Sequence, residues 1–79
     1  KALTKSITIQ MGLTQIDQLV INQINQMINE NKGSHSLSME IYDMEDELDI
    51  KLVSVEKKVN ADSKFIEELK NIGLSYKLN

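Results

Sequence analysis

Seventy-nine residues, 41% of them hydrophobic, suffice for one small domain whose core leaves a stability margin on the order of a few kcal/mol. Twelve Asp and Glu against nine Lys and no Arg give a net charge of −3, whereas a dominant nucleic-acid surface is normally basic and uses Arg for bidentate contacts. The absence of Cys excludes disulfides and thiolate metal sites, and neither a bilayer-spanning apolar run nor a signal peptide is visible, so a soluble cytoplasmic domain is expected.

Residues 3–11, LTKSITIQM, alternate. Leu3, Ile7, Ile9 and Met11 share one face of a strand and Thr4, Ser6, Thr8 and Gln10 the other, with Lys5 breaking the apolar parity. Gly12 allows a turn, and Thr14, three residues before Asp17, is placed to cap a helix. The spacing predicts that helix from Gln15 to Asn31. Its apolar stripe is Ile16, Leu19, Val20, Ile24, Met27 and Ile28, and Gln and Asn fill most other positions, Ile21 excepted. Lys32 and Gly33 end it, since glycine tolerates the left-handed conformation past a helix end.

SLSMEIYD, residues 36–43, alternates again, with Leu37, Met39 and Ile41 on one face and Ser36, Ser38, Glu40 and Tyr42 on the other. A polar connection, DMEDE, leads to a third strand from about Leu48. There the parity changes: Leu48, Ile50 and Leu52 are even, Val53, Val55 and Val59 odd, and a β-bulge near Leu52–Ser54 would reconcile them. The short connection predicts an antiparallel hairpin. Asn60 or Asp62 then caps a second helix with core residues Phe65, Ile66, Leu69 and Ile72. Gly73 stops it, and a last strand places Leu74, Tyr76 and Leu78 on one face.

The order β-α-β-β-α-β predicts an α+β, ferredoxin-like two-layer plait. Its four-stranded antiparallel sheet would run fourth-first-third-second, with two helices on one face and a polar opposite face of Thr8, Gln10, Ser38, Glu40 and Lys77. The whole of residues 1–79 reads as one domain. Because residue 1 is Lys rather than Met, it is expected to be excised from the C-terminal end of a longer chain.

Little in this pattern carries chemistry. Glu40 to Asp49 holds six carboxylates, but Asp43, Asp46 and Asp49 lack the close alternation and turn glycine of a calcium loop, so a solvated hairpin tip is expected. His35, the only histidine, has no orienting partner nearby in sequence and is placed in the loop entering the second strand. The four methionines read as packing. Base stacking needs aromatics on the exposed face of strands one and three, where this chain offers Thr, Gln, Asp49 and Lys51. No catalytic residue, cofactor or metal site is assigned, and no tight nucleic-acid or membrane contact is expected.

SITIQMGL at residues 6–13, NKGSHSLSMEIYDMEDELDIKL at 31–52 and SVEKKVNADSKFIEELKNIGLSYKLN at 54–79 together resemble the C-terminal domain of the bacterial DNA polymerase III alpha subunit, in its Bacteroidetes-like form. The resemblance covers essentially the whole chain, although the Gln- and Asn-rich first helix is less charged than the family pattern. It implies a parent DNA-directed DNA polymerase whose metal-binding palm carboxylates lie elsewhere. It also implies that this domain docks the polymerase to the tau subunit of the clamp loader.

Tyr42, at the outward end of the second strand, and Val53 and Val55, near the parity change, are the candidate partner-binding anchors. Apolar groups on a Ser/Thr/Glu-rich face carry interface energy, although a bend could instead turn both valines into the core. The rival reading is an ACT-like regulatory domain that binds a small molecule at a loop around Gly12.

Overall fold

The structure is a computed structural model that describes residues 5–43 and 50–79. Strand β1 (Ser6–Gly12) leads through a 3-10 turn (Leu13–Gln15) into helix α1 (Gln18–Glu30). Strands β2 (Lys32–Tyr42) and β3 (Ile50–Val59), helix α2 (Ser63–Ile72) and strand β4 (Ser75–Leu78) follow. The element order is the predicted one. The expected positions of Leu3, Thr4, Leu48 and the acidic connection through Asp46 and Asp49 lie outside the described residues.

The strand order departs from the expected plait. The sheet runs β3-β2-β1-β4, with β1 and β2 parallel neighbours and the β1–β4 and β2–β3 pairs antiparallel. It is mixed, not antiparallel. Charge gives the physical reason. The expected order would bury β3 between β1 and β2, yet β3 carries Lys51, Glu56, Lys57 and Lys58, which need water. β1 carries no charged residue and takes an inner position, with a neighbour on each side.

Register then sorts the side chains. Ile7, Ile9 and Met11 align with Leu37, Met39 and Ile41, and Ile7 and Ile9 also align with Leu78 and Tyr76. Ile24, Met27 and Ile28 of α1 and Phe65 and Leu69 of α2 close over this row, joined by Val59 and Leu74 in one core. Burial in α1 is confined to its C-terminal half. Leu19, expected in the stripe, stands 68% exposed.

Two caps differ from expectation, for one reason each. α1 begins at Gln18 because the 3-10 turn consumes Leu13–Gln15, so Asp17 and not Thr14 caps it, accepting from the Val20 N–H at 2.9 Å. Gly33 lies inside β2 and serves close approach, because a Cβ there would sit 2.7 Å from the backbone of Asn60. The second helix follows the sequence closely. Asp62 caps it through the Phe65 N–H at 3.1 Å. Gly73 ends it at φ 95°, and the Leu74 N–H returns to the Leu69 carbonyl at 3.0 Å.

The predicted bulge also moves. From Leu37–Val55 to Tyr42–Ile50 the hairpin keeps one register, so no bulge occurs at Leu52–Ser54. The irregularities fall in β2, on either side of His35. Val53 and Val55 therefore share the helix-side row with Met39 and Leu37, and Leu52 falls on the open face opposite Glu40.

Candidate functional site

His35 lies within β2 rather than in a loop. Its Nδ1 lies 3.2 Å from the Ala61 backbone nitrogen and 3.2 Å from the Val59 carbonyl oxygen. Asn31, buried at the end of α1, donates to the Met27 carbonyl at 2.8 Å and to Glu68 Oε1 at 3.2 Å, while its own carbonyl accepts from Asn60 at 2.7 Å. His35 reaches the β3–α2 junction through its side chain and Asn31 through its backbone carbonyl, while the Asn31 amide ties α1 to Glu68 of α2. Neither aims at open space. The sequence signal for them was weak, because the side-chain bonds that cross between elements join residues 26 to 37 positions apart.

The open sheet face is polar at its centre. Gln10 donates to Glu40 Oε1 at 2.9 Å, and Lys77 Nζ lies 3.7 Å from Glu40 Oε2. Such a part-exposed ion pair contributes little by itself. The described stretch of β3 places Leu52 and Ser54 opposite Glu40 and Ser38, so Lys51 falls on the other row from that expected. Tyr42 is the aromatic of this face among the described residues, and it stands on β2, at one end.

The three expected anchors do not gather. Tyr42 is half-buried, and its ring lies against Gly12, where an added Cβ would meet Cε2 at 3.4 Å. Val55 is half-buried and packs against the core. Val53 lies on the same row but stands 45% exposed. Tyr42 and the two valines thus occupy opposite faces of the sheet. The residue that sequence reasoning passed over is Leu52, 67% exposed on the open face. Its signal was present, since an unbulged strand must put Leu52 and Val53 on opposite sides.

Among the described residues, no group of three or more His, Cys, Asp or Glu stands together in a way that could hold a metal ion. A groove between the helices is lined by Gln23, Gln26, Glu30, Glu68 and Asn71, with Met27 and Ile72 at its apolar side. It offers amides and carboxylates but no nucleophile paired with a base. At Gly12, the backbone N–H donates to Gln15 Oε1 at 2.7 Å. The position expected for a ligand loop is filled by the chain's own Gln15 and Tyr42 side chains.

Among the described residues, β3 forms a ten-residue edge of the sheet. Residues 7–79 match the family described as DNA polymerase III alpha subunit, C-terminal domain. The chain belongs to that family. No curated protein matches it at a significant level. Membership makes it part of a DNA polymerase, and the mixed β3-β2-β1-β4 sheet is the frame on which its surfaces are arranged. No helix among the described residues is long and apolar enough to cross a membrane.

Proposed function

We propose that this domain is a non-catalytic docking module, which attaches the replicative polymerase to the tau subunit of the clamp loader. The observation that supports it is the exposure of Leu52 and Val53 on the two faces of one edge strand, in a domain of a polymerase. Fully burying a side chain of this size is worth roughly 1.5–3 kcal/mol relative to leaving it in water. A partner that covers both faces of the strand gains the share of that free energy set by the part of each side chain still exposed, without disturbing the core. Nucleotidyl transfer, in this reading, belongs to metal-binding carboxylates elsewhere in the polymerase, and this domain requires no cofactor.

The test is a calorimetric titration of the chain with the tau subunit, repeated with Val53→Ser and Tyr42→Ser. Tight binding by the parent, weakened about tenfold or more by Val53→Ser with folding intact, is the expected result. Failure of the parent chain to bind tau contradicts the reading.

A further inference from the structure

β3 and its surroundings combine three properties that point to one kind of ligand. First, β3 ends the sheet, so among the described residues no strand pairs with its outer side over its ten residues. An open edge presents N–H and C=O groups in the spacing that an extended peptide satisfies. Second, Leu52 and Val53 stand exposed on the two faces, so a peptide laid along the edge finds an apolar contact on each side. Third, Lys57 and Lys58 line, with Lys32 and Gly33 of β2 and Ile28 of α1, a depression beside the C-terminal end of β3. Among the described residues no carboxylate is in ion-pair contact with Lys32, Lys57 or Lys58. A local cluster of unpaired cations on a chain of net charge −3 selects for an anionic partner.

We infer that β3 receives an extended acidic peptide segment as a fifth strand, with carboxylates over Lys57, Lys58 and Lys32 and apolar side chains over Leu52 and Val53. This rests on the docking reading only in taking the partner to be a protein. A peptide fits better than a nucleic acid because a strand edge pairs with backbone amides, which a phosphate chain lacks. The chain also has no Arg, and no aromatic on β3 to stack a base.

The probe is an end-blocked eight-residue peptide with a Val-Val pair towards one end and a Glu-Glu pair towards the other, so that each face of the added strand carries both kinds of side chain. It is compared with the same peptide carrying Lys for Glu (the Lys/Val peptide) and with a Glu/Val peptide whose alternate backbone nitrogens are methylated. Hydrogen exchange is followed amide by amide on the 79-residue chain. The Glu/Val peptide should slow exchange of the outward β3 amides at least tenfold, and the two controls should not. Lys57→Gln with Lys58→Gln should raise the peptide Kd at least tenfold while melting stays unchanged. Should that pair disturb folding, Lys32→Gln serves instead. Unchanged β3 exchange at saturating Glu/Val peptide overturns the inference, as does a concentration-dependent dimer that protects the same amides without peptide. Single-stranded DNA that competes through the same lysines also overturns it. A parallel titration with tau separates the two readings: if tau binds and β3 exchange is unmoved, docking stands and strand addition falls.

Discussion

β1 and β3 both present apolar side chains, and these meet different fates. Ile7, Ile9 and Met11 of the alternating β1 are essentially inaccessible, while Leu52 and Val53, adjacent in β3, are exposed. β1 lies between β2 and β4 beneath the packed helix residues, whereas β3 has a single neighbour among the described residues. Alternation therefore identifies which residues share a face and says nothing about whether anything covers it. The four charged residues of β3 carry that second message, because they keep the strand at an edge.

The sharpest way to break this comparison is to truncate each region in turn. Leu69→Ala, beneath the sheet, should cost about 2–5 kcal/mol and unfold much of the population of so small a domain. A variant melting within a few degrees of the parent would show that α2 does not anchor the core. Next in size is Gly33→Ala. Its Cβ would meet the Asn60 backbone at 2.7 Å, and relieving that contact should cost about 1–3 kcal/mol in urea unfolding. Removing the α2 cap by Asp62→Ala should cost about 1 kcal/mol, visible as a lower urea midpoint at unchanged m-value. Leu52→Ser should be the smallest, within about 0.5 kcal/mol of the parent, because its side chain already stands in water.

The second half of the fold was the more legible. Asp62, Phe65, Leu69 and Gly73 act through neighbours three to five residues away, so local spacing specified the helix and its ends. The first half was less so. Asp17 and Thr14 are both competent caps, and the 3-10 turn that decides between them depends on Gln15, which reaches both Gly12 and the Gly73 carbonyl. Sheet order was not legible from element order, since a β-α-β-β-α-β chain can close with the third strand inside or outside. The charges on β3 could have decided it. The bulge was misplaced because both parities of β3 looked apolar. Placing a bulge at Leu52–Ser54 hid Leu52, which stands more exposed than Val53.

The central claim is that Leu52 and Val53 of β3 contribute contact surface while β1, β2, the helices and Val59 hold the fold. Titrating tau against a Leu52→Ser, Val53→Ser double variant whose melting matches the parent tests it most directly. The account predicts a Kd at least tenfold weaker at unchanged stability; equal affinity for the two proteins would contradict it.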